Sequence, residues 1–321
     1  MKVIKYSFLS TMLFAACYSS AKTFELDKLS ASGFIDMSWQ YKELGKGESS
    51  SDIGVDQAEI DLTYQVDEKL SFTTDIEYQN ASEGVDLEQM YLNYDFSNGF
   101  SVKAGRFLSN SGFESEEPTG LYQYSGTGYA PYFYGYYQQG LSVSYASEFM
   151  SAAVSVVSDL AGPQSTDFKH PGIEVMLAVT PSKQVTVKSF YSFEQLEGSN
   201  EDVSLFNLWA SYNSGPLTLG AEYNKSENAP AYALGEAGLD SEASGGLVMA
   251  NYEFDSFGLT LRYHDWRVEN GLNETVEEVQ GFTISPNFNI NDNTLITMEY
   301  RVEDINDEDV TSVAIEALVT F

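Results

Sequence analysis

The chain has 321 residues, and its 48 acidic side chains outnumber the 16 basic ones, which gives a formal net charge of -32 at pH 7. This acidity argues against a nucleic-acid partner, because phosphate binding needs a basic surface, and it is compatible with a preference for cations. Cys17 is the only cysteine, so disulfides and cysteine metal sites are excluded. The sequence has no run of eighteen apolar residues, so no transmembrane helix is predicted.

The N-terminus predicts an export signal that is removed after Ala21. Lys2 and Lys5 supply a positive start, and the apolar stretch 8–16 is too short to span a bilayer as a helix. Two other interpretations remain, a short membrane anchor and a lipoprotein signal that ends at Cys17, and both fit the residues less well. We therefore expect residues 1–21 to be a signal peptide.

The rest of the chain alternates apolar and polar residues with a period of two. In one segment Ala58, Ile60 and Leu62 alternate with Glu59 and Asp61. This pattern is typical of a strand with one apolar and one hydrated face. It predicts strands that begin near Leu29, Val55, Leu70, Asp86, Phe100, Gln138, Met150, Pro171, Gln184, Val203, Leu217, Ser244, Phe257, Thr275, Thr294 and Asp309.

The predicted connections alternate between short turns and longer loops. The short turns fall near 67–69, 97–99, 147–149, 181–183, 214–216, 255–256 and 289–293. The longer loops fall near 42–54, 80–85, 108–137, 159–170, 196–202, 227–243, 267–275 and 303–309. Outer-membrane barrels have this asymmetry, with short periplasmic turns and longer external loops.

These patterns predict an all-β fold, a transmembrane antiparallel β-barrel of about 16 strands, with 14 or 18 as alternatives. Residues 22–321 would form this single domain in the outer membrane of a Gram-negative bacterium, surrounded by lipid. The 108–137 loop could hide a further hairpin, which would give the larger number. We expect no separate plug or periplasmic domain, because the sequence shows no Pro- or Ser-rich linker.

A barrel of this size leaves an aqueous channel, so function should lie in its lining. The polar positions of the alternating pattern are predicted to face the lumen, and their acidic residues are Glu59, Asp61, Asp75, Glu77, Glu88, Glu174, Glu194, Glu222, Glu253, Glu299 and Glu316. The basic residues at these inward positions are chiefly Lys103, Lys188, Arg262 and Arg301. A surplus of carboxylates in a lumen attracts cations and repels anions.

The 108–137 loop is the predicted constriction of the channel, because it is the longest connection and long loops are seldom idle. We expect Glu114, Glu116 and Glu117 to face basic wall residues across a narrow opening. The loop also has an aromatic run, in which Tyr132 and Tyr134 could offer stacking faces to sugars. The other interpretation, which the sequence favours, places this run in the outer aromatic belt or in the next strand.

Residues 57–158 resemble the putative beta-barrel porin-2, OmpL-like family. The resemblance is carried by Gln57-Ala-Glu-Ile-Asp-Leu62, Leu87-Glu-Gln-Met-Tyr-Leu92, Lys103-Ala-Gly-Arg-Phe107, Gly112-Phe-Glu114, Tyr124-Ser125 and Gly140-Leu-Ser-Val143. The arginine that usually follows Tyr124-Ser125 is replaced by Gly126. Phe321, which ends an alternating strand, is similar to the signal read by the barrel-assembly machinery. The resemblance implies diffusion of small hydrophilic solutes, no enzyme activity, and leaves a homotrimer open.

The sequence thus predicts a passive, cation-preferring porin. A sugar-specific channel and a closed barrel that acts as a surface receptor or adhesin are the alternatives. We predict no enzyme, because the chain has two histidines and no plausible triad. No metal-ligand spacing or phosphate-binding glycine motif indicates a metal or cofactor.

Overall fold

The structure is a computed structural model and describes residues 25–45, 47–80, 84–160, 168–195, 202–229 and 240–321. The predicted signal peptide lies outside these residues. Sixteen strands form one closed antiparallel barrel in which each strand pairs with its neighbours in sequence, and β1 pairs with β16. This confirms the predicted all-β barrel and its strand number. No helix among the described residues is long and apolar enough to cross a membrane.

The strands are β1 Leu29–Leu44, β2 Glu48–Gln65, β3 Leu70–Gln79, β4 Gly84–Asp95, β5 Phe100–Leu108, β6 Tyr137–Ala146, β7 Met150–Val157, β8 Gly172–Ser182, β9 Val185–Gln195, β10 Asp202–Ser214, β11 Leu217–Glu227, β12 Glu242–Glu253, β13 Gly258–Glu269, β14 Thr275–Asn291, β15 Thr294–Ile305 and β16 Glu308–Thr320. The β5–β6 loop, residues 109–136, contains a 3-10 turn at Pro118–Gly120 and the one-turn helix α1 at Ala130–Phe133.

The period-two pattern separates two faces of the barrel wall. Ile60 is 49% exposed on the outer face, whereas its neighbour Glu59 is 5% exposed on the inner face. The same contrast holds for Ile76 at 40% and Glu77 at 3%. An exposed apolar face around a closed sheet, with polar side chains turned inward, is the arrangement that a bilayer selects.

The barrel closes between the first and last strands at Gly33 and Phe321. The two residues exchange backbone hydrogen bonds of 3.1 and 3.0 Å, one from each amide to the other residue's carbonyl. A Cβ at Gly33 would lie 2.8 Å from the Phe321 ring, so the missing side chain leaves room for the terminal aromatic. The alternating strand β16 and the Phe321 that follows it therefore complete the ring of strands.

Three of the predicted long loops are wrong, because the strands continue through them. Residues 45–47 alone separate β1 from β2, in place of the predicted loop 42–54. The predicted loops 267–275 and 303–309 shrink to 270–274 and 306–307. The β1–β2 ladder extends to Leu44, which pairs with Glu48. Polar residues occur on both faces of this part of β2, so the alternation of apolar and polar residues that predicts a strand is missing there.

Candidate functional site

The β5–β6 loop lies against the inner surface of the barrel and contacts inward side chains of many strands. Ser109 donates a hydrogen bond of 2.6 Å to Glu174 on β8, and Tyr124 donates one of 3.0 Å to Asp56 on β2. On the far side, Thr260 of β13 donates one of 2.8 Å to the Tyr122 carbonyl. These contacts join opposite walls of the barrel through the loop.

The helix α1 fixes the loop to an apolar patch of the inner wall. Phe133 is fully buried and Tyr132 is 8% exposed. The two rings pack with Tyr129 and Tyr134 against inward residues of β12, β13 and β14, namely Ala243, Leu247, Met249, Trp266, Val268 and Val279. Burying apolar groups removes them from water, so this patch is a strong anchor for the loop.

Phe113 provides a second aromatic anchor, at the start of the loop. Its ring packs edge-on against Trp209 with centroids 5.6 Å apart. It also fills the space above Gly220 on β11, where an added Cβ would collide with it. Trp209 Nε1 in turn donates a hydrogen bond of 2.9 Å to the Gly112 carbonyl. A side chain at position 220 is therefore incompatible with the observed course of the loop.

Glu222, on β11, accepts hydrogen bonds from three groups of the loop. Tyr134 Oη lies 2.5 Å and the Phe113 amide 2.8 Å from its carboxylate, and Tyr129 Oη donates to it as well. Burial, and then the neighbouring negative charges, raise the pKa of the Tyr129 and Tyr134 hydroxyls well above the usual value. Both hydroxyls therefore stay protonated and remain donors to the carboxylate.

Two arginines of the wall hold the middle of the loop. Arg262 on β13 lies 2.5 Å from Glu114 and donates to the Ser125 carbonyl at 2.6 Å. Arg301 on β15 donates to the Gly126 carbonyl at 2.7 Å and also pairs with Glu303. Glu114 additionally accepts bonds from the loop's own residues. Of the three acidic residues predicted to face basic wall residues, Glu114 thus forms a direct ion pair with one of them.

A different part of the inner wall, beyond β16 and β1, is acidic. It consists of inward residues of β2, β3 and β4, which we call the acidic wall: Glu59, Asp61, Asp75, Glu77 and Glu88. Glu117 of the loop meets this wall and accepts a hydrogen bond of 3.0 Å from Gln57. Burial is the largest of the influences that raise the pKa of Glu117 to about 7, and the charge of Glu77 adds to it. Glu116, beside it, is exposed.

Not all of the predicted site residues come together. Lys103 lies over the Tyr91 ring, 4.3 Å from its centroid, and close enough to Asp75 to influence its charge. Tyr132 and Tyr134 have a different role from the predicted solute contacts, because their rings are 8% and 9% exposed and pack on the wall. The interpretation that placed their aromatic run in the outer belt or the next strand is also wrong for these two residues, which lie in the loop on the inner side.

Sequence reasoning missed several partners of the loop. One is Asp56 on β2, which contacts Tyr124 of the loop; another is Glu277 on β14, which accepts a hydrogen bond of 2.5 Å from Tyr132. The alternation of apolar and polar residues also predicted a hydrated inner face throughout, and it did not reveal the apolar patch on the inner wall. The available signal was that β12 and β13 carry large apolar residues on both phases, for example Leu247 beside Val248. An apolar inner phase indicates a segment that covers it.

Two cavities flank the loop and leave water-sized space beside it. The larger has a volume of about 310 Å³ and the smaller about 230 Å³. Their linings include Gln40, Tyr124 and Arg301 for the larger cavity, and Phe113, Tyr122 and Trp209 for the smaller one. Both therefore lie between the loop and the barrel wall.

Solved structures with the same fold are porin barrels and related outer-membrane proteins. OmpF of Salmonella typhi, in complex with daunomycin, has 15% identity and a TM-score of 0.70, and the match covers 92% of this chain and 99% of that one. The anion-selective porin from Comamonas acidovorans has 13% identity and a TM-score of 0.68, over 91% and 99%. The trimer form of in-vitro folded OmpT from Vibrio cholerae has 16% identity and a TM-score of 0.62, over 92% and 100%.

The family assignment comes from the sequence itself. No curated protein matches the chain significantly. The sequence profile of a family described as "Putative beta-barrel porin-2, OmpL-like" matches residues 63–314, which include all of the strands from β3 to β15 and part of β2 and β16. The chain belongs to the putative beta-barrel porin-2, OmpL-like family.

Proposed function

We propose that this outer-membrane porin is a passive channel for small hydrophilic solutes, with a cation-preferring lumen narrowed by the β5–β6 loop. The family and the sixteen-stranded barrel support a porin, and a barrel of this size encloses a channel. The loop contacts on both walls support the narrowing. The Comamonas porin, which shares the fold, is named as anion-selective, so the preference for cations must be argued from the residues of this chain.

The observation that carries the preference for cations is the uneven distribution of free charge in the lumen. Arg262 and Arg301 each already hold an acid, Glu114 and Glu303. The acidic wall, by contrast, faces the lumen with five carboxylates and has Lys103 as its nearby base. Paired charges of opposite sign largely cancel at a distance, so the net potential of the lumen is set by the acidic wall.

The test is the reversal potential of purified protein in a planar bilayer under a potassium chloride gradient, with a chelator present. Asp61→Asn removes one charge from the acidic wall, and Asp265→Asn removes one from the exposed outer face of β13. Two charges ~5 Å apart in water interact by about 0.5–0.8 kcal/mol after screening, so Asp61→Asn should lower the cation-to-anion permeability ratio about two- to fourfold. Asp265→Asn should leave it unchanged. Anion selectivity of the unmodified protein would refute the proposal.

A second function, a closed barrel that acts as a surface receptor or adhesin, is favoured by the extent of the loop contacts. The loop is bonded to β2, β8, β10, β11, β13 and β15. A loop held at so many points could block solute flow. Single-channel conductance separates the two functions, because a blocked barrel conducts no current. Steady current through the unmodified protein would exclude the closed barrel.

We also propose that the protein is made and assembled like other porins. The predicted signal peptide 1–21 would direct export, and the barrel-assembly machinery would read the last strand. A homotrimer is supported by the trimer form of the Vibrio OmpT structure. Native mass spectrometry of the detergent-extracted protein tests this, and the mass of a single mature chain would refute it.

A further inference from the structure

The acidic wall concentrates carboxylates more tightly than a wet lumen requires. Glu59 and Glu77 are register partners on β2 and β3, and Asp61 and Asp75 are the next inward pair along the same strands. Like charges directly opposite each other in a sheet repel and destabilise the pair. Two such pairs in succession therefore need compensation from protons, basic side chains or bound cations.

Three of these carboxylates converge from three different elements. Glu59 of β2, Glu88 of β4 and Glu117 of the β5–β6 loop each bring an oxygen within 4.8 Å of the other two. Calcium binds oxygens at roughly 2.3–2.6 Å, so oxygens up to about 5 Å apart can share one ion. The triplet thus has the dimensions of a calcium shell, with places left for water.

Hydrogen bonds within the protein leave some carboxylate oxygens at and beside the triplet without a partner. Glu59 and Glu88 are each 5% exposed, and Glu59 Oε2 has no hydrogen-bond partner among the described residues. The neighbouring Glu77 is 3% exposed, its carboxyl contacts that of Glu88, and its Oε1 is unpartnered too. A buried carboxylate without a partner is costly. These unpartnered oxygens are a second observation, independent of the clustering, that points to a ligand at this position.

The other groups around the triplet orient it. Tyr137 donates hydrogen bonds to Glu88 at 3.1 Å and to Glu117 at 2.9 Å, and Gln57 donates to Glu117. These donors fix two of the three carboxylates. Lys103, which acts on Asp75, is the base near this wall, and its influence falls on the adjacent pair. The triplet itself is left for an external cation.

We propose that Glu59, Glu88 and Glu117 form a calcium site that ties the β5–β6 loop to the acidic wall. All-carboxylate ligation with irregular spacing suits calcium, which accepts six to eight oxygens in flexible geometry. The site depends on the proposed function in one respect, namely that the acidic wall faces the aqueous lumen. No sequence spacing revealed it, because its ligands come from three separate elements.

The test is calorimetric titration of calcium chloride into the folded, detergent-solubilised protein at constant ionic strength after chelator treatment. We expect saturable binding of about one ion. Glu88→Gln and Glu117→Gln should weaken it at least about tenfold, because each removes a charged ligand. The control Glu194→Gln makes the same change in a buried lumen carboxylate of β9 and should bind like the unmodified protein.

The variant Glu117→Gln keeps the test valid if the wall variant does not fold, since Glu117 belongs to the loop and not to the barrel ladder. Calcium should also raise the melting temperature of the unmodified protein and not that of Glu117→Gln. Absence of saturable binding, or equal affinity in Glu117→Gln, would overturn the site. If the protein binds calcium but does not favour potassium over chloride, only the proposed cation preference is refuted. If it favours potassium over chloride but does not bind calcium, only the calcium site is refuted.

Discussion

We predict that Arg262→Met releases the middle of the β5–β6 loop from the barrel wall. The guanidinium is 1% exposed, pairs with Glu114 at 2.5 Å and donates to the Ser125 carbonyl at 2.6 Å. Methionine has a similar length and keeps the packing, but it offers no charge and no donor. The substitution therefore removes the attachment and leaves the β13 ladder intact.

The size of the effect follows from the two bonds. A hydrogen bond to a charged group contributes about 1.5–3 kcal/mol, so loss of both should weaken the attachment by roughly 3–6 kcal/mol. Because 1.4 kcal/mol corresponds to a tenfold change in an equilibrium constant, the population of the detached loop should rise at least about a hundredfold. Bonds from Thr127 to Glu114, at 2.8 Å each, remain and preserve the loop's own fold.

The assay is limited proteolysis with chymotrypsin, because the loop is rich in tyrosine and has no lysine or arginine. Cleavage in the loop should be faster in proportion to the detached population, and single-channel conductance should rise. Arg267→Met is the matched control on the same strand, because its pair with Glu269 at 3.4 Å is largely exposed and exposed pairs contribute about 0–1 kcal/mol. Equal rates of cleavage in Arg262→Met and Arg267→Met would refute the prediction that Arg262 holds the loop on the barrel wall.

Three further predictions concern the loop anchors and one turn. Gly220→Val should displace the loop ring that packs there and raise conductance, whereas Gly54→Val, with open space around it, should not. Phe133→Ala should weaken loop docking by about 3–5 kcal/mol and speed chymotrypsin cleavage, and the control Phe149→Ala, 67% exposed, should not. Asn306→Val, at φ 55°, should cost about 1–2 kcal/mol in urea unfolding. The results that would contradict these predictions are an unchanged conductance in Gly220→Val, an unchanged cleavage rate in Phe133→Ala and an unchanged urea midpoint in Asn306→Val.

Most of the barrel was readable from the sequence, because a strand in a bilayer must alternate at a period of two. The predicted strand beginnings lie within two residues of the observed ones, except for the second, predicted at Val55 and observed at Glu48. That strand continues through Ser49 to Asp52, where both faces are exposed. Backbone pairing with β1 holds this part as a strand, and alternation is not required where neither face is buried.

The inner loop was only partly predictable. Its length and its acidic residues pointed to the lumen, and Glu114 does meet Arg262. The aromatic run was ambiguous, because tyrosine suits a membrane interface and a buried anchor equally well. The choice depended on the apolar patch around Trp266 and Leu247, which belongs to strands more than a hundred residues away.

The sequence by itself determined the strand number, the two-faced wall and the acidity of the inner phase, because each depends on the order of residues within one strand or one turn. Only the tertiary structure decided which charges are paired and which are unpartnered. Arg262 finds Glu114 across 148 positions of the chain, while Glu59, Glu88 and Glu117 converge from two strands and a loop. Closure of the barrel and the return of the loop into it create these contacts, and neither leaves a local pattern in the chain.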